Sequence, residues 1–252
     1  MNLDTSVQET IIARFRETFG EQLKLNVPLA RYTSARVGGP ADLFLTVRSS
    51  EELQTAVELA HQLHLPYFIL GGGSNILIAD SGIRGLVIMN RAKAVRFRHS
   101  GAGVICTVES GMNLSSLARQ CISKGLGGLE WAIGVPGTVG GAVVGNAGAH
   151  GGDMSDNVRT VTVWEPGRGV RIYANEEMEY GYRDSILKQE QEKYKPRRVV
   201  LSTDLLLQPE PISVLTARAV SAICVAGRCV SHGGRVRAFA RAGDPVAALD
   251  RL

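Results

Sequence analysis

Apolar residues recur at helical spacing at Ile11, Ile12, Phe15 and Phe19, which predicts an amphipathic helix over Ser6–Leu23 packed on the domain behind it. Leu43–Val47 reads as a strand. Ser49 followed by Glu52 is a capping box, and Leu53, Val57, Ala60 and Leu63 then line one face of a helix to about His64. Tyr67–Leu70 is the next strand, so the chain opens in a βαβ-like manner. Ile76–Ile78 and Gly82–Met89 read as further strand-forming stretches and complete a first lobe. A second lobe begins with a strand at Val104–Val108 and a helix at Leu114–Lys124 capped by Asn113. Strands at Val158–Trp164 and Val199–Leu207 follow, the latter expected to close the lobe, and a tail helix is expected near Val214–Ala226.

Two glycine-rich stretches interrupt this pattern. The first, Gly71, Gly72, Gly73, Ser74 and Asn75, leaves the strand at Leu70. Three successive glycines let the backbone approach a ligand without side chains in the way, and their N–H groups can converge on an anion such as a phosphate. The bland alternative is a tight turn. The motif differs from the dinucleotide fingerprint G-x-G-x-x-G, whose glycines open a helix, so a phosphate would here be held by a loop between strands. The second stretch runs from Gly127 to Ala149 and includes Val135 and Pro136, which can fix a turn. Two such loops in one domain favour a dinucleotide. A third polar segment, Arg31–Asp42, is either a turn before a strand or a loop reaching a cofactor with Thr33 and Arg36. Arg183, in Tyr180–Ser185, reads on its own as a surface ion-pairing residue.

Composition narrows the class. The 252 residues are 44% hydrophobic and 21% charged, ordinary for a globular protein, whereas the 29 glycines cluster in loops without a period. A net charge of +4 is spread along the chain, which suits anionic small molecules and points away from nucleic acid. Neither the four cysteines nor the five histidines show metal-ligand spacing, so no metal is expected. The start Met-Asn-Leu-Asp is not a basic-then-apolar leader, and no apolar run approaches bilayer-spanning length. No membrane partner and a cytoplasmic location are expected.

Thr33–Asp42, Leu70–Asn75, Gly134–Ala142 with Asn146–Gly148, and Tyr180–Ser185 stand in an order and at separations that resemble the flavin-dependent UDP-N-acetylenolpyruvoylglucosamine reductases. The resemblance covers residues 15–209. It implies an α+β fold: a two-subdomain FAD-binding domain of the vanillyl-alcohol-oxidase (PCMH) type. The domain would span 31–209, with lobes at about 31–95 and 103–209, after an N-terminal helix and lead-in over 1–30. It further implies FAD as cofactor, NADPH as co-substrate, and reduction of the enolpyruvyl group of a UDP-sugar to UDP-N-acetylmuramate, a peptidoglycan precursor. By the same likeness Gly71, Gly72, Gly73, Ser74 and Asn75 hold the FAD pyrophosphate. Val135, Pro136, Gly137, Thr138, Gly140 and Gly141 run along the flavin, with Thr33, Arg36 and Asn146 completing the cofactor set. Arg183 matches the arginine that stabilises the enolate-like intermediate.

The likeness stops near Glu210. The family's third domain supplies a serine acid in a Gly-Ser-x-Phe-Lys-Asn-Pro-like motif and a late glutamate, whereas Pro211–Leu252 contains neither lysine nor glutamate and Ser231 lies in Val-Ser-His-Gly-Gly-Arg. The expectation is therefore a divergent short tail over 210–252 in place of that domain. Three readings follow: a truncated or frame-shifted reductase with impaired turnover, a relative that rebuilt its acid from Ser185 or Tyr182, or a non-catalytic flavin-binding module. Another FAD-linked oxidoreductase of the same superfamily is a further alternative.

Overall fold

The computed structural model describes residues 5–101, 103–193 and 198–225. The first lobe is a four-stranded sheet of β1 (Leu23–Pro28), β2 (Pro40–Val47), β3 (Tyr67–Leu70) and β4 (Ile83–Asn90), in the order β1-β2-β4-β3. It is covered by α1 (Thr5–Phe19) and α2 (Ser50–Gln62). β1 pairs antiparallel with β2, so the stretch expected to be helix and lead-in supplies a strand of this sheet. The predicted helix stops at Phe19, before a short 3-10 turn over Gly20–Gln22.

β2 and β3 each pair in parallel with β4, which lies between them. Two adjacent parallel strands need a connection that returns along their whole length. Between β3 and β4 the glycine loop and residues 76–79 make that return. Ile76–Ile78 is therefore not a strand. Its alternation is that of extended chain, with Ile78 buried and Leu77 80% exposed, but no ladder partner is beside it.

The second lobe is an antiparallel sheet built from β5 (Val95–Ser100), β6 (Gly103–Glu109), β10 (Val158–Glu165), β11 (Gly169–Ala174) and β12 (Val199–Pro209). The order is β11-β10-β12-β6-β5, with β7 (Leu126–Gly127) pairing the end of β12. β12, expected to close the lobe, instead lies at its centre. α3 (Leu114–Ser123) and α4 (Val139–Val144) pack on this sheet, and β8 (Gly148–Ala149) and β9 (Gly152–Asp153) form a small hairpin beside them. α5 (Ile186–Lys193) precedes β12, and α6 (Ile212–Val225) follows it. α6 buries Leu215 and Ala219 in the second lobe's core, while Arg218 reaches both Glu130 (3.0 Å) and Glu210 (2.8 Å). The rest of the divergent tail, including Ser231, lies outside the described residues.

One hydrophobic cluster crosses between the lobes. Trp164, Val199 and Leu201 of the second lobe pack with Leu45, Leu53, Val57 and Leu86 of the first. Trp164 meets His61 and Tyr67 edge-on at 5.8 and 6.5 Å. Polar contacts fix the same seam: Ser50 donates its N–H to Glu109 (2.7 Å) and its hydroxyl to the Leu201 carbonyl (3.0 Å). The position of each lobe's loops is thus set by a shared core.

Beside Trp164, the buried carboxylate of Glu165 accepts from the Tyr173 hydroxyl and pairs with Arg198 at 3.4 Å. Burial first, then the bond to Glu165, pushes the Tyr173 phenol from its ordinary 10 up to about 12. The fold favours the neutral hydroxyl, so its contribution is intact below pH 10 and lost as pH rises through about 12. Chemical denaturation across this alkaline window should show a falling stability limb that is shallower in Tyr173→Phe.

Among the described residues no helix is long and apolar enough to cross a membrane, and no three His, Cys, Asp or Glu side chains converge as metal ligands.

Candidate active site

The glycine stretches meet at the seam. Gly72 lies so close to Gly137 that a side-chain carbon on Gly72 would be 3.3 Å from the Gly137 Cα. One on Gly71 would be 2.5 Å from the Thr138 hydroxyl, and one on Gly137 would be 3.4 Å from that of Ser74. The Arg31–Asp42 segment closes the third side. Ser34 donates its N–H to the Gly73 carbonyl at 2.9 Å, and Gly39 donates to Ala79 at 3.0 Å. Gly73 has φ +64, and a side-chain carbon there would be 1.9 Å from the Tyr32 carbonyl oxygen. Among the described residues the N–H groups of Gly72, Gly73, Ser74 and Asn75 donate to no backbone carbonyl. A run of free donors in a side-chain-free cradle suits a pyrophosphate.

The second-lobe side of the seam is pinned from beneath. Leu114 donates to Gly137 (3.1 Å), Val139 to Met112 (2.9 Å) and Gly140 to Ser110 (2.8 Å), so residues 137–140 run along 110–114. Val135 is half-buried and Pro136 exposed, while Gly141 faces outward from α4. Thr33 is buried, and its hydroxyl donates within its own loop to the Val37 carbonyl at 2.9 Å. That side chain shapes the loop; the exposed Arg36, with φ +55, is the one placed to reach outward.

α4 leads from Thr138 to Asn146, a rise of about 9 Å for six helical residues. At its far end stands the turn Gly181–Asp184, closed by reciprocal N–H to carbonyl bonds of 3.1 and 3.2 Å. The turn carries Arg183 at φ +57. Its exposed guanidinium donates to the Gly148 carbonyl and lies 5.8 Å from the ring centre of Tyr182, which is 93% exposed. Ser185 is fully buried, and its hydroxyl donates to the Val144 carbonyl at 2.6 Å. That removes Ser185 as a candidate acid. Asn146 is also buried: its amide donates to the Gly181 carbonyl (3.0 Å) and Asp153 (3.3 Å) and accepts from the Ser155 N–H (3.1 Å). Its side chain is committed to the Arg183 turn rather than free for a cofactor. Nearby, the Tyr180 hydroxyl is buried with no hydrogen-bond partner among the described residues; burial, and then the Asp153 charge, raise its pKa.

Sequence reasoning did not single out Asp153 or Ser155, which anchor this end of the site, and it reached Gly148 only as the last residue of the stretch Asn146–Gly148. Asp153 and Asp156 form a capping box around the 3-10 turn Met154–Asp156, a signal that Asp-x-x-Asp spacing carries. A separate polar cavity of about 230 Å³, lined by Gly127, Glu130, Asn157, Gln208, Glu210 and Arg218 among others, involves none of the expected site residues.

The family described as FAD binding domain matches residues 41–172, which takes in the first glycine loop, the second and the seam between them. The crystal structure of the UDP-N-acetylenolpyruvylglucosamine reductase from Thermus caldophilus superposes with a TM-score of 0.64 at 33% identity, covering 81% of this chain and 68% of that one. The chain belongs to the UDP-N-acetylenolpyruvoylglucosamine reductase family. The reductase of that name from Clostridioides difficile (strain 630) is 39% identical over 188 residues, 75% of this chain and 59% of the relative. Reductase 2 of Symbiobacterium thermophilum is 45% identical over 161 residues, 64% of this chain and 51% of the relative. The chain therefore spans little more than half the length of these reductases. More distant structures share the fold alone: alkyldihydroxyacetonephosphate synthase at 19% identity and TM-score 0.59, and p-cresol methylhydroxylase at 14% and 0.55. The α+β, two-lobed FAD-binding fold expected from the sequence is thus the fold of this reductase family.

Proposed function

We propose that the chain is the flavin-binding part of a reductase that uses NADPH and FAD to reduce the enolpyruvyl group of a UDP-sugar to UDP-N-acetylmuramate in the cytoplasm. The observation that carries this reading is the loop Gly71–Asn75 at the seam of the two lobes, with Gly71 against Thr138, Gly72 against Gly137, and the N–H groups of 72–75 donating to no backbone carbonyl among the described residues. The binding unit is residues 31–209, with lobes at about 31–95 and 103–209; α1 and β1 complete the first lobe, and α6, within the 210–252 tail, packs on the second.

The residues fit FAD. Gly71–Asn75 would hold the pyrophosphate through backbone N–H groups, with Arg36 adding positive charge from the neighbouring loop. Val135, Pro136, Gly137, Thr138, Gly140 and Gly141 would line the flavin, and Thr33 supports them by shaping its own loop. Bound FAD supplies hydride transfer, which no side chain provides. The chain's own task is to stabilise charge. Hydride addition to an enolpyruvyl double bond leaves negative charge beside a carboxylate, and the exposed Arg183 guanidinium is the cation to hold it. At rest that guanidinium is held on the Gly148 carbonyl, a neutral acceptor that an anion displaces.

A second reading, a flavin-binding module without turnover, is favoured by α6, which follows Glu210 directly and packs on the second lobe. Purified protein is expected to be yellow. Bleaching by NADPH with slow consumption of the enolpyruvyl UDP-sugar supports an impaired reductase; retained flavin that NADPH does not bleach supports the module; colourless protein that takes up no FAD overturns both. Arg183→Ala is expected to keep its FAD content and lose residual product formation by about 100-fold or more. Loss of FAD in that variant would instead make the arginine structural.

A further inference from the structure

The turn that carries Arg183 is joined to the end of α4 by three hydrogen bonds in register. Asn146 donates to the Gly181 carbonyl, Ser185 to that of Val144, and Arg183 to that of Gly148. Only the first comes from the α4 side, and it comes from a residue whose own geometry is demanding. Asn146 sits at φ +38 and is 4% exposed. Its amide carbonyl accepts from the Ser155 N–H, and its NH2 spans from Asp153 to Gly181. Asp153 in turn accepts from the Ser155 hydroxyl (2.6 Å) and N–H (3.0 Å), so the amide is gripped on three sides. The Gly181 carbonyl has two acceptor sites, one filled by the Asp184 N–H that closes the turn and one by Asn146. That leaves the turn fixed at its first residue by a side chain that touches neither the seam nor solvent.

We propose that Asn146 is the positioning residue for Arg183: its amide fixes the Gly181–Asp184 turn so that the guanidinium stands at the Gly148 carbonyl, just beyond the C-terminal end of α4. This rests on the reading of Arg183 as the cation that meets the anionic UDP-sugar, and it assigns Asn146 to that residue instead of to the cofactor. The asparagine is suited to the task because the position needs a left-handed backbone, one acceptor and one two-armed donor at once.

The test uses FAD-reconstituted protein in four forms: Asn146→Gly, Asn146→Asp, Arg183→Ala and the double variant Asn146→Gly with Arg183→Ala. Glycine keeps the positive φ and removes the amide; aspartate keeps the size and the bond from Ser155 but loses the donor to Gly181. Two readouts are followed: the affinity for UDP-N-acetylmuramate, from the change in flavin absorbance, and the rate of tryptic cleavage after Arg183. Both Asn146 variants are expected to keep their FAD, to bind the UDP-sugar about tenfold more weakly, and to be cut after Arg183 several times faster. The double variant should bind no more weakly than Arg183→Ala alone. Wild-type affinity and cleavage in Asn146→Asp, a further full loss in the double variant, or loss of FAD from Asn146→Gly would each overturn the proposal. If Arg183→Ala leaves UDP-sugar binding untouched, or the wild type binds none, the reading of Arg183 fails instead. The cleavage rates then decide the positioning alone: faster cutting upholds it and unchanged cutting overturns it.

Discussion

Gly73→Ala is expected to lower FAD loading more than tenfold while leaving most secondary structure in place. Two costs add at this residue. The backbone has φ +64, which costs a non-glycine residue on the order of 1 kcal/mol. The new carbon would also stand 1.9 Å from the Tyr32 carbonyl oxygen and 3.0 Å from the Thr33 Cα. Neither is a flexible side chain, so one loop must move. The loops that would part are the two whose contact, Ser34 N–H to the Gly73 carbonyl, closes the cradle. Gly167→Ala separates the two costs: Gly167 has φ +72 with nothing within 4 Å of a new side-chain carbon. It should lose about the same backbone term and none of the flavin. Flavin absorbance per chain after reconstitution, with circular dichroism on the same samples, distinguishes the two variants; equal flavin loss in both would remove the loop contact from the account.

Trp164→Ala is expected to cost about 3–5 kcal/mol. Trp164 is 2% exposed, the largest fully buried side chain, and it enters the first lobe's core from a second-lobe strand. Against a total stability of about 5–15 kcal/mol, such a loss is a large share, and a melting temperature lower by roughly 10 °C should follow for a chain of this size. The loss should be felt at the cofactor site too. Gly71–Asn75 and Gly137–Thr138 belong to different lobes, and the Trp164 cluster is what docks one lobe on the other. Added FAD should therefore raise the melting temperature of the variant less than that of the wild type, a comparison that thermal unfolding with and without FAD makes directly. Trp164→Phe, which refills most of the volume, should recover most of both effects.

Local signals predicted the elements that depend on local chemistry. Ser49 does accept from the Glu52 N–H, and Asn113 from the Ser116 N–H, so α2 and α3 start where their caps say. The buried face Leu53, Val57 and Ala60 follows from the 3.6-residue spacing. The misses are tertiary. α4 lies in Val-Gly-Gly-Ala-Val-Val, a poor helix former on propensity, and it is helical because Val139, Ala142 and Val143 are buried in the second core. Ile76–Ile78 has strand composition but no neighbour to pair with. β5 and β11 are edge strands: β5 only half-buries Val95 and Phe97 between exposed Arg96 and Arg98, and β11 leaves Val170 and Ile172 exposed, so neither marks a fully apolar face. β12 sits in the centre of its sheet because of pairings with segments far apart in the chain.

The site divides in the same way. Glycines 71–73 and 137 were legible because only glycine permits such close backbone approach, and the structure brings them together. The family likeness puts Thr33 and Asn146 in the cofactor set, yet the Thr33 hydroxyl donates to the Val37 carbonyl and the Asn146 amide to that of Gly181. Nothing in a linear sequence distinguishes a polar group facing a ligand from one facing a carbonyl 35 residues away.

The central claim, that Gly71–Asn75 is the pyrophosphate cradle, is tested most directly by titrating flavin-free protein with FAD and with riboflavin and following the quenching of flavin fluorescence. The two share the isoalloxazine ring, and only FAD carries the pyrophosphate and adenosine. FAD is predicted to bind about 100-fold or more tightly than riboflavin, with most of that margin lost in Gly73→Ala. Equal affinity for FAD and riboflavin, or a margin that survives in Gly73→Ala, would contradict the account.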